Sequence, residues 1–125
     1  MGITYIEGEV RGTDGKKAVV RFLVDSGASY TVLPQKDWQA LGLKAKRTAT
    51  FTLADGTQIE RAISECHLTL PQGEAHTPVI LGESGDEPLL GVVTLEIFGL
   101  VLNPFTRTLQ PMRMLLARIG RERPK

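Results

Sequence analysis

Hydrophobic residues recur at every second position through most of this chain, and that period predicts a β protein. Thr48–Leu53 alternates in this way, and Gln58–Ser64 and Cys66–Leu70 continue the alternation after an Asp-Gly pair. Asp-Gly between two alternating runs is a strong hairpin signal, because a type I′ turn requires positive φ at both central residues. We therefore predict a hairpin with its tip at Ala54–Thr57 and with a type I′ turn.

Two short helices and several further strands complete the predicted order of elements. Pro34 fixes φ at the start of a predicted helix over Gln35–Leu41, and a second helix is predicted over Val92–Phe98. Ala18–Val24 is almost entirely apolar, so we expect this strand to be buried on both faces. The other predicted strands are Ile3–Val10, Tyr30–Leu33, Thr77–Leu81, Leu89–Gly91, Leu100–Leu102 and Thr106–Leu109. The chain is thus predicted to be one mostly β domain.

Composition fits a single globular domain and indicates neither a nucleic-acid nor a membrane partner. The chain has 125 residues, of which 42% are hydrophobic and 23% charged, and its formal net charge is +1. These values are ordinary for one soluble domain. No apolar run approaches the roughly 20 residues that a membrane-spanning helix needs. Cys66 is the single cysteine, and the N-terminus lacks a signal-peptide pattern, so a cytoplasmic location is expected.

An acidic residue, Asp25, directly follows the apolar strand, where a buried charge is costly unless it is hydrogen-bonded or functional. Gly27 allows a sharp turn and a close approach to a ligand. Ser26 can form a sideways hydrogen bond, and Ala28 leaves space beside the carboxylate. Taken alone, these residues predict either a turn capped by Asp25 or a carboxylate that acts in proton transfer.

The order of motifs along the chain resembles that of the retroviral-type aspartic proteases. Asp25-Ser26-Gly27-Ala28 follows an apolar strand, a hairpin comes next, and Leu89-Leu90-Gly91 then leads into a helix. The small prokaryotic branch of that clan is more similar still, because it shares Leu41-Gly42-Leu43, an Ala-Asp-Gly hairpin and an Asn-Pro after a closing strand. The resemblance covers roughly Val10–Leu109.

This resemblance implies a closed, retropepsin-like barrel with one or two short helices that is active as a homodimer. The implied function is an aspartic endopeptidase that acts on peptides or proteins. Asp25 would be the catalytic residue, one per chain, since the sequence has no second Asp-Ser/Thr-Gly. Ser26 and Gly27 would support the site, and no cofactor or metal is implied. The substrate-binding residues implied are Gly27, Ala28, Ser29, Ala54, Asp55, Gly56 and Leu89.

Departures from the viral pattern leave a second function open. Viral members pair an acidic residue after the Asp motif with an arginine after the Leu-Leu-Gly element, whereas this chain has Ser29 and Val92 there. The hairpin tip also carries Asp55 instead of a glycine-rich run. The alternative is a catalytically weak or inactive peptide-binding or scaffolding module with the same fold.

The substrate and the C-terminal segment are predicted in less detail. Aliphatic pocket walls are expected at Ala28, Leu53, Ile80, Leu81 and Leu89, which favours hydrophobic substrate side chains. We place the protease domain at residues 1–111. The segment 112–125 is basic but contains Met112, Met114, Leu115 and Ile119. It is expected either to fray or to add a strand to the dimer interface before a frayed tail.

A zinc site or a thiol nucleophile at Cys66 is not predicted. His67 and His76 are the nearby histidines, but their spacing matches no common zinc motif. Adjacent residues of a strand point to opposite faces, so Cys66 and His67 could not act together.

Overall fold

The computed structural model describes residues 3–113, which contain nine strands and two short helices. The predicted mostly β character is confirmed, and each helix ends one residue earlier than predicted. No helix in the described range is long and apolar enough to cross a membrane. The helices are α1 (Gln35–Ala40) and α2 (Val92–Ile97), and the strands are β1 (Tyr5–Arg11), β2 (Lys17–Val24), β3 (Thr31–Leu33), β4 (Arg47–Thr52), β5 (Gln58–Leu70), β6 (Gly73–Leu81), β7 (Leu89–Leu90), β8 (Leu100–Asn103) and β9 (Thr108–Pro111).

Seven strands form one sheet in the order β1-β2-β7-β3-β6-β5-β4, while β8 and β9 form a separate two-stranded sheet. β1 also pairs with β5, so hydrogen-bonded pairs lead from β1 through β2, β7, β3, β6 and β5 back to β1. The short β7 lies between β2 and β3, parallel to the first and antiparallel to the second. This position places the Leu89–Leu90 segment beside the chain that leaves β2.

The hydrophobic core lies inside this arrangement of strands. Val10, Phe22, Leu33 and Leu90 are fully buried within it. Each such side chain contributes about 1.5–3 kcal/mol through burial. Within α1, Trp38 packs against the core and donates its indole N–H to the carbonyl of Gly82 at 2.8 Å.

β2 is buried on one face only, which contradicts the expectation drawn from its apolar composition. Val20, Phe22 and Val24 are buried, whereas Val19 is 68% exposed and Arg21 lies on the same outer face. Arg21 stacks on the ring of Tyr5 in β1, with its guanidinium carbon 4.0 Å from the ring centroid. The alternation of side chains along the strand therefore decides burial, and apolar composition alone does not.

The hairpin between β4 and β5 is where it was predicted, but its turn is of a different kind. The N–H of Gly56 donates to the carbonyl of Leu53 at 2.9 Å, so Ala54 and Asp55 are the central residues. Gly56 has φ 89°, while Arg107 is the only non-glycine residue with positive φ between residues 3 and 113. The prediction of a type I′ turn is therefore wrong. The loop is a turn closed by Leu53 and Gly56, and Gly56 itself has the left-handed backbone conformation.

β4 and the start of β5 project from the rest of the sheet as a two-stranded arm, which we define as residues 47–62. β4 pairs with β5 only, through residues 47–52 and 58–63. β5 joins β6 from Ile63 onward. Residues 52–58 at the end of the arm are all exposed.

Candidate active site

Asp25 is the first residue after β2, and backbone and side-chain hydrogen bonds hold it in place. Its N–H donates to the carbonyl of Leu90 at 3.1 Å, which extends the β2–β7 pairing by one residue. The N–H of Ala28 donates to the Asp25 carbonyl at 3.1 Å, and the N–H of Gly27 donates to Oδ1 at 2.9 Å. Oδ2 accepts no hydrogen bond from the part of the chain that the structure describes. Asp25 thus caps its own turn and still has one carboxylate oxygen available.

The Asp25 loop is joined to the start of α2 by two backbone hydrogen bonds. The N–H of Val92 donates to the carbonyl of Ala28 at 2.8 Å, and the N–H of Val93 donates to the carbonyl of Ser29 at 2.9 Å. Ser29 and Val92 are the positions where the viral pattern has an acid and an arginine. In this chain, main-chain groups link the same two segments without any charged side chain.

Three buried threonines form a hydrogen-bonded chain directly behind the Asp25 loop. The Thr94 hydroxyl lies 2.6 Å from the Thr31 hydroxyl and 2.7 Å from the Thr77 hydroxyl. The Thr31 oxygen also accepts the N–H of Gly91 at 3.0 Å. None of the three is more than 1% exposed. Because buried hydroxyls without partners are costly, this network fixes β3, β6 and α2 relative to one another.

Replacing Thr94 by Val is expected to lower the free energy of unfolding by about 1–3 kcal/mol. Valine has nearly the same shape as threonine but leaves the two facing hydroxyls short of a partner. Urea unfolding measures the change. Thr106→Val is the matched control, because Thr106 shares an exposed 2.7 Å contact with Thr108 and its loss should change stability by less than about 0.5 kcal/mol. Equal losses in the two variants would contradict a structural role for the buried network.

A cleft of about 370 Å³ lies between the Asp25 loop and the arm. Of the site and pocket-wall residues predicted from the sequence, those that line it together with Asp25 are Gly27, Ala28, Ser29, Leu53, Ala54, Ile80 and Leu89. The other residues that line it are Tyr30, Val32, Phe51, Thr52, Ile59, Arg61, Asp86 and Glu87. The cleft is therefore apolar over much of its wall, with charged groups from Arg61 and the loop before β7.

Three predicted site residues lie outside the lining of this cleft: Ser26, Asp55 and Gly56. Ser26 is exposed beside Asp25. The carboxylate of Asp55 accepts the N–H of Thr57 at 2.9 Å, and hydrogen bonds from the backbone and side chain of Thr57 hold the pKa of Asp55 below its usual value. In a single chain, Asp55 thus stabilises the turn of the arm.

Leu81 was predicted as a pocket wall, and the structure places it elsewhere. Ile80 lines the cleft, whereas Leu81 is 6% exposed and belongs to the hydrophobic core. Adjacent residues of β6 point to opposite faces, and here Ile80 faces the cleft while Leu81 faces the core.

Two more carboxylates, Asp86 and Glu87, line the cleft, but their surroundings differ from those of Asp25. Asp86 Oδ2 accepts the N–H of Glu83 at 2.7 Å and lies 3.9 Å from Arg61 Nε. The Asp86 carboxylate is therefore engaged by the Glu83 backbone and by Arg61. Glu87 is exposed. Asp25 is also partly buried and oriented by a backbone N–H, but among the described residues it forms no ion pair, whereas Asp86 is paired with Arg61.

A larger cavity of about 510 Å³ lies away from Asp25, where β5 and β6 meet the loop after α1. Cys66, His67 and His76 are among its lining residues. Across β5 and β6, Cys66 lies opposite Thr77 and belongs to the core. His67 lies opposite His76 on the other face of the same two strands. Burial raises the pKa of the Cys66 thiol to about 12, with a smaller contribution from Glu65, so the reactive thiolate is disfavoured. Within residues 3–113, no three His, Cys, Asp or Glu side chains are grouped to hold a metal ion.

The fold and the position of Asp25 together define the class of retropepsin-like aspartic proteases. The family model described as gag-polyprotein putative aspartyl protease matches residues 10–96. Because this match covers well over half of the chain, the chain belongs to that family, and the resemblance to retroviral-type aspartic proteases is confirmed.

Solved structures support the same fold. The solution structure of simian foamy virus (mac) protease is similar, with a TM-score of 0.53 and 17% sequence identity, and the alignment covers 74% of this chain and 92% of that chain. At this identity, the similarity shows the fold alone. A search of curated proteins finds no match.

Proposed function

We propose that this chain is an aspartic endopeptidase that hydrolyses peptide bonds with a water activated between two Asp25 carboxylates, one from each subunit of a homodimer. The observation that carries the proposal is the Asp25 carboxylate, oriented by Gly27, at the edge of a largely apolar cleft that an arm covers. The family to which the chain belongs supports this function. We further propose that the circuit of strand pairs forms the closed barrel expected from the resemblance.

Two carboxylates held a few ångströms apart do not both ionise easily, so they share one proton. The ionised Asp25 would take a proton from a water as the water attacks the scissile carbonyl carbon. The protonated Asp25 of the other subunit would donate its proton to the carbonyl oxygen, which gives a gem-diol intermediate. As this intermediate collapses, the first Asp25 would pass the proton that it took from water to the leaving amide nitrogen, and the other Asp25 would recover its proton from a gem-diol hydroxyl. Each proton taken from water is thus returned to the products.

The surroundings of Asp25 fit this exchange of protons. Oδ1 is fixed by the Gly27 N–H, which leaves Oδ2 to contact a water or a second carboxylate. Ser26 is exposed beside it and would contact the partner subunit, and the backbone of Gly27 would bind the substrate. Apolar groups such as Ala28, Leu53 and Leu89 would accept hydrophobic side chains next to the cleaved bond and exclude water.

Peptide cleavage is the direct test of this function. The purified chain, incubated with a diverse peptide mixture between pH 4 and 7, is expected to cut peptides between hydrophobic residues, most rapidly at mildly acidic pH. A statine-type inhibitor, which imitates the tetrahedral intermediate, should stop the reaction. Mass spectrometry of the products identifies the cut bonds. Peptide binding without any cut product would instead support the non-catalytic alternative, a peptide-binding or scaffolding module.

A concentration series separates the dimer from the chemistry. Because one chain supplies one Asp25, specific activity should fall when the protein is diluted below the dissociation constant of the dimer. Analytical ultracentrifugation over the same range measures the fraction of dimer. Activity that stays proportional to a purely monomeric population would contradict the two-carboxylate mechanism.

A further inference from the structure

Tyr30, which lies just after the Asp25 loop, contacts the first strand of the arm, β4. The ring of Phe51 in β4 packs edge-on against Tyr30, with centroids 5.7 Å apart and an interplanar angle of 65°. Arg47, also in β4, donates from Nη2 to the Tyr30 hydroxyl at 3.1 Å. Tyr30 and Phe51 both line the cleft, so this contact crosses from its floor to the arm.

On its second strand, the arm is tied to the loop before β7 by Arg61. Arg61 Nη1 lies 3.4 Å from Glu83 Oε2, and Nε lies 3.9 Å from Asp86 Oδ2. The Arg61 side chain is 19% exposed and lines the cleft. Two carboxylates offset the charge of the one guanidinium, so Arg61 is occupied by the protein itself and does not offer a free cation to a substrate.

The groups to which the arm is tied are themselves fixed. Tyr30 is followed by Thr31, a member of the buried threonine network. In the loop before β7, Asp86 closes a turn with Glu83 through hydrogen bonds of 2.7 and 3.0 Å. At the start of that loop, Gly82 donates to the carbonyl of Leu33 at 2.8 Å.

The arm has little else to fix its position. β4 pairs with no strand other than β5 among the described residues, and a lone two-stranded hairpin is marginally stable in water. Ala62 packs against the core where the arm ends, and the contacts of Tyr30 and Arg61 are the other side-chain contacts that set where the arm lies relative to Asp25. Arg61 is also placed just before Ile63, the residue at which β5 joins β6 and the arm ends.

We propose that Tyr30 and Arg61 are positioning residues that hold the arm over the cleft before any peptide binds. An arm that is already in place loses less conformational entropy on binding, so these contacts raise the affinity for a peptide. Neither side chain forms a hydrogen bond or ion pair with Asp25, so the rate of bond cleavage depends on them weakly. The two residues thus determine KM more than kcat.

Hydrogen–deuterium exchange of the arm amides tests the positioning without any need for catalysis. Tyr30→Phe removes the hydroxyl and keeps the ring, and Arg61→Gln removes the charge and keeps much of the side chain. Each variant is expected to exchange roughly three- to tenfold faster over residues 48–59, and the Arg61→Gln effect should shrink at high salt because exposed ion pairs are screened. Unchanged exchange over the arm in both variants would overturn the proposal.

Lys36→Gln is the matched control for Arg61→Gln, because it removes one positive charge from an exposed position on α1. In this variant the backbone amides of the arm should exchange at the same rate as in the parent protein.

Glu83→Gln should increase amide exchange over the arm as much as Arg61→Gln does. The double variant should add little to either single change, as expected for two residues that act on each other. Fully additive effects would show that Arg61 acts on the arm independently of Glu83.

The kinetic part of the inference rests on the proposed function, and the exchange measurement separates the two. In an active dimer, Tyr30→Phe and Arg61→Gln should raise KM roughly three- to tenfold and change kcat by less than about twofold. A fall in kcat at constant KM would contradict positioning. If the parent protein cuts no peptide, the proposed protease function fails, while the exchange rates still decide whether the two residues hold the arm.

Discussion

Replacing Asp25 by asparagine is expected to reduce kcat/KM for peptide cleavage by about 1,000-fold or more, since positioned acid–base groups typically supply 10²–10⁴ in rate. Asparagine can neither take a proton from water nor return one to the leaving amide. Its side-chain oxygen can still accept the Gly27 N–H, so the turn and the fold should remain. A fluorogenic peptide assay measures the loss. Asp14→Asn, at an exposed turn, is the control and should leave the rate unchanged.

Mixing the parent chain with the Asp25→Asn chain tests whether one site needs both carboxylates. If the subunits exchange freely, equal amounts produce half mixed dimers and one quarter parent dimers, since a symmetric dimer draws its two chains at random. Activity should therefore fall to about one quarter of that of the same total amount of parent chain, as a two-carboxylate site requires. If activity instead stayed at one half or more of the parent value, the mixed dimer would be active, and a single Asp25 would suffice.

The fold could be predicted from local patterns to a large extent. Alternation located the strands, and Pro34, Gly42 and Gly99 marked the helix ends to within one residue. Two local predictions were wrong for reasons that are not local. Whether the outer face of β2 is buried depends on which segments pack against it, and Val19 on that face is largely exposed. The turn at Asp55 depends on which residues close it, and Leu53 and Gly56 do so.

The candidate site was only partly accessible from sequence. Asp25, Gly27 and Ala28 are consecutive or nearly so, and their motif identified them. Phe51 could have been predicted too, because it is two residues from Leu53 and so faces the same side of its strand. The contact of Arg61 with Asp86 had no such signal, since it joins segments that only the sheet topology brings together.

The buried threonine network was missed for the same reason. Thr31, Thr77 and Thr94 lie in β3, β6 and α2, and each looks ordinary in its own segment. Their hydroxyls meet because β3 pairs with β6 and α2 packs behind both. A sequence can indicate that a threonine is buried, but its partners depend on the three-dimensional arrangement.

Replacing Gly91 by alanine is expected to lower the free energy of unfolding by about 3 kcal/mol and to disturb Asp25 as well. An added Cβ would lie 2.5 Å from the carbonyl carbon and 2.6 Å from the carbonyl oxygen of Tyr30, and 2.8 Å from the carbonyl oxygen of Ser29. These are backbone atoms, so no rotation of a side chain relieves the overlap. The Asp25 loop and the start of α2 would have to separate.

That separation would act on catalysis through the hydrogen bonds that join the two segments. Val92 and Val93 donate to Ala28 and Ser29, so a shift of α2 moves the loop that orients Asp25. A displacement of about 1 Å at a reacting group costs on the order of 100-fold in rate, so kcat should fall by that amount even in molecules that remain folded. Urea unfolding and steady-state kinetics measure the two effects separately.

Gly15→Ala distinguishes steric overlap at Gly91 from the general cost of replacing a glycine. Gly15 has φ 75° and no atom within 4 Å of an added Cβ, so alanine there suffers backbone strain of about 1–2 kcal/mol and no collision. Gly15 lies at the opposite end of β2 from Asp25, so Gly15→Ala should leave kcat unchanged. If Gly91→Ala were no more destabilising than Gly15→Ala and kept its kcat, the close packing of α2 on the Asp25 loop would not be what positions the carboxylate.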